Sequence, residues 1–256
     1  LVRLVAVIRD ISRQRELDRL RSDFVSAVSH ELRTPLSLIK GYAGTLLRED
    51  LTLPPETQRR FLAQIDAAAN RLQRLINDLF TVSRLEAGRL ELQPQVTDVA
   101  ALVRKVAEGV QQVADQRIQV RLPLMPLQAR LDPDRIAQVL DNLLGNAIKF
   151  SPPEGTITVS AALEGEGDWV HLWVEDEGPG IPPQHLERIF EKFYRVERGM
   201  VRKASGVGLG LHICKSIVEA HGGKIWAENR PEGGSAFHVR LPVAGPPKEP
   251  AAPAQA

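Results

Sequence analysis

Apolar residues recur at Val28, Leu32, Leu36, Ile39, Ala43 and Leu46 in steps of three and four, the spacing of one buried stripe along a helix. Leu17, Leu20, Phe24 and Ala27 carry the same rhythm upstream, and the stripe shifts by one position near Val28, which locally perturbs a coiled coil. Ser12 is read as the N-cap of this helix, and Pro35 is expected to weaken or kink it by removing a backbone donor. A second helix follows from Phe61, Ile65, Ala68, Leu72, Leu75, Leu79 and Val82, whose alternating fours and threes make a coiled-coil seam. Pro54-Pro55 in the 49–57 stretch marks the turn between the helices, and Gly88 takes the C′ role at the end of the second. One such hairpin exposes more apolar face than it can bury, so pairing with a second copy as a four-helix bundle is predicted.

From Asp98 the texture changes to alternating helices and strands. Helices are predicted at 99–113, 133–149 and 209–221, and strands at 118–122, 128–131, 157–161, 170–174, 223–228 and 235–241. Glu164-Gly165-Glu166-Gly167-Asp168 reads as a hairpin turn, and 89–97 as a short linker. The fold class is therefore α+β: a helical hairpin forming a dimeric four-helix bundle, then an α/β sandwich with helices on one face of a mixed sheet. Leu4, Val5, Val7, Ile8 and Ile11 read as a strand, and an isolated strand implies the end of an upstream domain. The Pro- and Ala-rich stretch after Ala244 is expected to be a disordered tail. The chain thus divides into 1–12, 13–90, 98–243 and 244–256.

Composition narrows the partners. Of 256 residues, 43% are hydrophobic and 25% charged, ordinary for a globular protein. A formal net charge of +1 gives no general attraction to nucleic acid or an anionic membrane. The single cysteine, Cys214, excludes an intrachain disulfide and fits a reducing, cytoplasmic location. No apolar run reaches the ~18 residues of a membrane span, so no membrane contact is expected from this segment, whatever anchors the parent protein.

Five stretches carry candidate chemistry. In Ser29-His30-Glu31-Leu32-Arg33-Thr34-Pro35-Leu36, His30 sits about 200° around the axis from Val28 and points to solvent, with Thr34 one turn further on the same face. An exposed imidazole beside a carboxylate can act as a nucleophile; the plain alternative is a surface histidine. Asn142, Asn146 and Lys149 fall at i, i+4 and i+7 and share a helix face. Two carboxamides and an ammonium suit a hydrated Mg²⁺ and a polyphosphate, or simply a solvated face. Asp176-Glu177-Gly178-Pro179-Gly180-Ile181 is a turn after a strand whose glycines permit close approach; a carboxylate fixed there could accept from an exocyclic amine. Phe190-Glu191-Lys192-Phe193-Tyr194-Arg195 leads into a polar, cationic stretch through 205, read as a mobile lid. It ends in Gly206-Val207-Gly208-Leu209-Gly210-Leu211, a glycine-rich turn at a helix N-terminus, which offers backbone N–H groups to phosphate. It is neither a Walker A loop nor a Rossmann turn.

Together these stretches resemble, in order and spacing, the H, N, G1, F and G2 boxes of sensor histidine kinases, over about residues 13–243. The resemblance implies a dimerisation and phosphotransfer hairpin followed by a Bergerat-type ATP-binding domain, with residues up to Ser12 similar to the end of a PAS domain. It implies His30 as phosphoacceptor, Glu31 as the base that polarises it, and Thr34 as the residue orienting a hydrolytic water. It further implies Asn146 on Mg²⁺, Asn142 and Lys149 near the phosphates of ATP, and Asp176 reading adenine between Gly178 and Gly180. Arg195 and the backbone of Gly208 and Gly210 would hold the phosphates; Tyr194, Gly206, Leu209 and Leu211 complete the nucleotide-binding set. The family's threonine pair in the last box is replaced by Ser205 and Val207, so backbone contacts to phosphate are expected to dominate there.

The implied partners are a second copy of the chain and the receiver domain of a response regulator, with no nucleic acid. Two other readings stay open: an ATP hydrolase or clamp of the gyrase type, and a silent dimerisation module. Related hydrolases place a glutamate where Asn142 stands, and an amide cannot act as a general base. Cys214 is expected in the core; Trp169, Trp173 and Trp226 are read as packing residues; and His171, His185, His212, His221 and His238 show no metal-ligand spacing.

Overall fold

The computed structural model describes residues 12–48, 50–87, 90–112, 114–196 and 208–245. The strand expected at 1–11, the C′ role of Gly88, the lid residues from 197 and the tail beyond 245 lie outside the described residues. The chain falls into two compact units, one built on the helical hairpin as far as Asn77 together with Gly208, and one from Asp78 onward apart from Gly208. Each is described by itself.

The first unit consists of α1 (Ser12–Leu46) and α2 (Pro55–Glu86) as far as Asn77. Helix α1 begins at Ser12, which is helical itself, and runs through Pro35 without a break. Pro35 is buried and Leu36 is 57% exposed, so the proline takes the inward place expected of its neighbour. A proline ring is apolar and lacks the N–H that would need a partner there. On α2 the expected seam faces inward in the chain itself, with Ala68 buried and Phe61, Ile65, Leu72 and Leu75 half-buried. Tyr42 of α1 packs on Phe61 of α2, ring centroids 4.9 Å apart.

The second unit holds β1 (Gln95–Asp98), α3 (Val99–Gln111), β2 (Arg117–Arg121), β3 (Gln128–Leu131), α4 (Pro133–Phe150), β4 (Thr156–Glu164), β5 (Trp169–Glu175), α5 (Gly210–Ala220), β6 (Lys224–Asn229) and β7 (Ser235–Pro242). Two short 3-10 turns, Pro183–His185 and Arg188–Phe190, lie between β5 and α5. The main sheet has the order β2-β4-β5-β7-β6, with β2 and β4 parallel and the other neighbours antiparallel. One expectation is corrected here. Residues 95–97, assigned to a linker, form with Asp98 the strand β1, which pairs antiparallel with β3 from Gln95↔Leu131 to Asp98↔Gln128 in a separate two-stranded sheet. Four residues hold too little alternation to show as a strand, and the partner that stabilises them is distant in sequence.

Caps fix the helices that matter for the site. Asp98 closes β1 and caps α3, its Oδ1 accepting from Ala100 N at 3.0 Å and Ala101 N at 3.4 Å. Asp132 caps α4 through Asp134 N and Arg135 N, both at 3.1 Å, with Pro133 in the first turn. The inner faces of α3, α4 and α5 are apolar, and Ile136, Ile213, Ile217 and Cys214 are fully buried. Burial drives the Cys214 thiol well above its usual range, so it packs as an apolar group. Strand β5 shows which sheet face is covered: Val170, Leu172 and Val174 are buried while Trp169, His171, Trp173 and Glu175 are not. On that open face Trp173 and Trp226 pack against histidines, and the Trp169 ring centre lies 4.5 Å from the Arg240 guanidinium. Trp226 stacks on His238 at 5.0 Å, Trp173 lies 4.8 Å from His171, and His171 Nε2 meets His238 Nδ1 at 3.1 Å.

His221 is 1% exposed. Its Nε2 accepts from Asp132 N at 3.1 Å, and its Nδ1 stands 2.8 Å from Ile217 O. That pattern requires the neutral ring protonated at Nδ1. Burial lowers the pKa of His171, His212, His221 and His238 alike. Below about pH 6.5 the unfolded chain therefore binds more protons at these positions, and their contribution to stability, complete above 6.5, is lost as pH falls. The melting temperature is expected to drop by about 3–6 °C from pH 7.5 to pH 5.5, read by circular dichroism; a flat or rising profile contradicts this.

Candidate active site

In the helical unit His30 is exposed, as its helical phase requires. Thr34 is exposed on the same face, its hydroxyl donating to His30 O at 3.1 Å, a bond back to the preceding turn. Glu31 is turned the other way. Its side chain is only 12% exposed, and Oε2 accepts from Nη2 of Arg71 on α2 at 2.6 Å. Sequence reading missed Arg71, a cation on the flank of the α2 seam. Only the folding of the hairpin pairs residues forty positions apart.

In the second unit the site is organised by Asp176, 4% exposed where β5 ends. Its Oδ1 accepts from Gly178 N at 2.8 Å and Ser235 N at 3.2 Å. Its backbone N–H donates to Ser235 O at 2.9 Å, and its carbonyl accepts from Arg230 Nη1 at 2.9 Å. Oδ2 has no hydrogen-bond partner among the described residues. Burial pushes the Asp176 pKa up; the two N–H donors and then the Arg230 charge oppose this. The structure thus leaves one acceptor oxygen open on a carboxylate whose other oxygen is locked.

The surrounding elements come close at small residues. A Cβ on Gly178 would stand 3.0 Å from Phe150 O, so the loop after β5 abuts the end of α4. A Cβ on Gly210 would stand 2.9 Å from Asn142 Oδ1, which brings the start of α5 directly onto the carboxamide. Asn142 also donates to Gln138 O at 3.1 Å. Asn146 is half-buried on the same helix, and Lys149 is exposed with its ammonium 4.9 Å from the Phe150 ring centre. Leu209, fully buried, anchors the start of α5, and among the described residues no side chain caps that helix. The first N–H groups of a helix have no partner within it. Gly208 has φ +72°, Leu211 is half-buried, and Gly206 lies outside the described residues.

Tyr194 is held from two sides, its hydroxyl 2.6 Å from His185 Nδ1 and its ring 4.4 Å from the Arg188 guanidinium. Arg195 beside it is exposed. Phe190 is buried edge-on to Phe237, centroids 6.5 Å apart. Ser235 and Arg230 are partners of Asp176 that sequence reading missed. The paired glycines Gly233 and Gly234 signal a turn, but a turn signal does not say what the turn lies against.

Residues 20–88 match the His Kinase A (phospho-acceptor) domain, and residues 131–245 match the histidine kinase-, DNA gyrase B- and HSP90-like ATPase family. The chain is 36% identical over 244 residues to the sensor histidine kinase WalK of Bacillus subtilis, covering 93% of this chain and 39% of that protein. Among solved structures it is similar to full-length ShkA in complex with AMPPNP, with 30% identity and TM-score 0.62 over 89% of this chain and 46% of that one. It is also similar to the histidine kinase ThkA in complex with the response regulator protein TrrA, with 28% identity and TM-score 0.59 over 91% of this chain and 65% of that one. The chain thus spans about two fifths of the curated relative's length. The two domain matches in one chain, with 36% identity over 93% of its length to a sensor histidine kinase, place this protein in the sensor histidine kinase family.

Proposed function

We propose that this chain is the catalytic core of an ATP-dependent protein-histidine kinase, with a phosphotransfer hairpin over 13–90 and an ATP-binding domain over 98–243. The observation that carries the reading is the coexistence, in one chain, of an exposed imidazole at His30 and a buried carboxylate at Asp176 with one oxygen open. Adenine presents an exocyclic amine that Asp176 Oδ2 can accept from, while the fixed Oδ1 sets the direction. The uncapped first turn of α5, behind Gly208 and Gly210, offers N–H groups and a favourable dipole to the phosphates. Lys149 and Arg195 add charge, and Tyr194, Leu209 and Leu211 complete the nucleotide-binding set with Gly178, Gly180 and Gly206.

Mg²⁺ fits the donor set as a hydrated ion. Among the described residues no group of three His, Cys, Asp or Glu could hold a metal by itself, whereas Asn146 offers a carboxamide oxygen, a donor the ion accepts alongside phosphate and water. When bound, the ion neutralises charge on the transferring phosphoryl group. The protein's part is positioning. A ring nitrogen of His30 attacks the γ-phosphorus as the bond to the ADP oxygen breaks, and the imidazole proton passes to Glu31 once a change of rotamer brings its carboxylate from Arg71 to the His30 side. Asn142 cannot act as a general base toward water, which favours transfer over hydrolysis and argues against the gyrase-type reading.

Transfer onward to an aspartate of a response-regulator receiver domain follows from the likeness to ThkA, whose solved complex holds such a regulator. Dimerisation through the hairpin follows from the match to the His Kinase A domain and from Leu36, Leu38, Leu62 and Phe80, apolar residues exposed in the single chain. Regulator dephosphorylation is assigned to Thr34, which keeps lone pairs free to accept from a water while its hydrogen goes to His30 O. No helix among the described residues is long and apolar enough to cross a membrane.

Three outcomes test the proposal. With γ-labelled ATP, His30→Gln should incorporate no acid-labile phosphate while its ATP affinity stays within about twofold; label on that variant would exclude His30 as acceptor. Asp176→Asn should weaken ATP binding at least about tenfold by calorimetry, since an amide offers one acceptor where two are used, and a tenfold change equals about 1.4 kcal/mol. Thr34→Ala should slow dephosphorylation of a phosphorylated receiver domain about tenfold and leave autophosphorylation in place; equal loss of both would remove Thr34 from the hydrolytic step.

A further inference from the structure

The loop from Asp176 to Ile181 leaves the sheet after β5 and carries the only groups proposed to read the base, yet it belongs to no strand or helix. Its shape is held from one place. Asn229, the last residue of β6, grips the far end with both atoms of its carboxamide. Oδ1 accepts from Ile181 N at 2.7 Å and Nδ2 donates to Ile181 O at 2.6 Å. The side chain thereby does what a neighbouring strand would do, satisfying both backbone groups of one residue. Arg230, next in sequence, grips the near end: Nη1 donates to Asp176 O at 2.9 Å, and Nε lies 3.6 Å from Glu175 Oε1. Ser235 N reaches Asp176 Oδ1 from the other side of the same turn.

Glycines make this possible at two points. Gly180 has φ +67°, and a Cβ there would stand 2.9 Å from Asn229 Oδ1, so any side chain at 180 would push the carboxamide off Ile181. Gly234, φ +89°, lies so close behind the loop that a Cβ would collide with the Asp176 carbonyl. Gly180 therefore serves the clamp, apart from any approach of a ligand.

We propose that the β6–β7 turn sets the geometry of the base-reading loop, with Asn229 and Arg230 as positioning residues for nucleotide affinity and base selectivity. The inference rests on the reading of Asp176 as the group that accepts from the adenine amine. The carboxamide is specific to the task. An aspartate would lose the donor and set a charge against Ile181 O, a serine could serve only one of the two groups, and a glutamine is one methylene longer. Released at 181, the loop samples positions in which Asp176 Oδ2 no longer meets the amine. Binding then loses the part of its energy that depends on the base, while contacts to the phosphates remain.

The test is calorimetric titration of the chain with ATP and with GTP, plus phosphate incorporation as a function of ATP. For Asn229→Ala the ATP Kd is expected to rise about five- to tenfold, the range of one or two net hydrogen bonds, while the GTP Kd changes less than twofold. The preference for ATP over GTP narrows accordingly. KM for ATP should rise by a similar factor, with kcat falling less than twofold. Arg230→Gln should behave in the same way. A melting temperature lowered with the ATP-to-GTP ratio intact would mean that the turn is merely structural, and would overturn the proposal. Asp176→Asn separates the two readings. If it leaves ATP affinity intact, the adenine assignment fails; if it weakens ATP and Asn229→Ala does not, the clamp alone fails. In the Asp176→Asn background, Asn229→Ala should add less than about twofold; a full additive effect would show that Asn229 acts elsewhere.

Discussion

The nucleotide-binding unit depends on one arrangement, the buried carboxylate of Asp176 held against backbone N–H groups. A carboxylate at 4% exposure is costly unless its oxygens are hydrogen-bonded. Here the donors come from two segments far apart in sequence, Gly178 in the loop itself and Ser235 at the start of β7. The sheet order makes this possible, because β5 and β7 are neighbours and Glu175 pairs with Ala236. Recognition chemistry is in this sense a property of strand register: shifting β7 by one residue would remove Ser235 N and turn the inner residues of β7 outward.

The helical unit follows a different logic. His30, the proposed phosphoacceptor, is exposed through the phase of the helix. Glu31 neighbours His30 in sequence, yet about 100° of rotation carries its side chain inward to Arg71. The ion pair fixes the carboxylate on the hairpin's inner side and links the two helices at the level of the histidine. Since it is partly screened from water, it holds better than a surface pair would. A change in the packing of α1 on α2 is then felt at Glu31 directly.

The other histidines show how the same residue type takes unrelated parts. His221 is a connector, joining the end of α5 to the start of α4 by accepting from Asp132 N. His171 and His238 belong to an aromatic cluster on the open sheet face, and His185 steadies Tyr194. Only His30 stands exposed with no such structural duty.

Much of this was legible in the chain itself. Periodicity located both long helices, the three shorter ones and the strands of the main sheet, because each buries a continuous apolar face and its residues must repeat at the period of the backbone. Helix phase alone set His30 outward, because the turn of the helix fixes which residues share the buried stripe. Tertiary structure decided what depends on distant partners. It made a strand of 95–98 by supplying β3, chose Pro35 over Leu36 for the inner side of α1, and paired Arg71 with Glu31. It also placed Asn229, Arg230 and Ser235 around the loop of Asp176. A pattern of single residues records how each one meets its own helix or strand; which segments come to lie side by side depends on the packing of the whole sheet, and no local spacing encodes it.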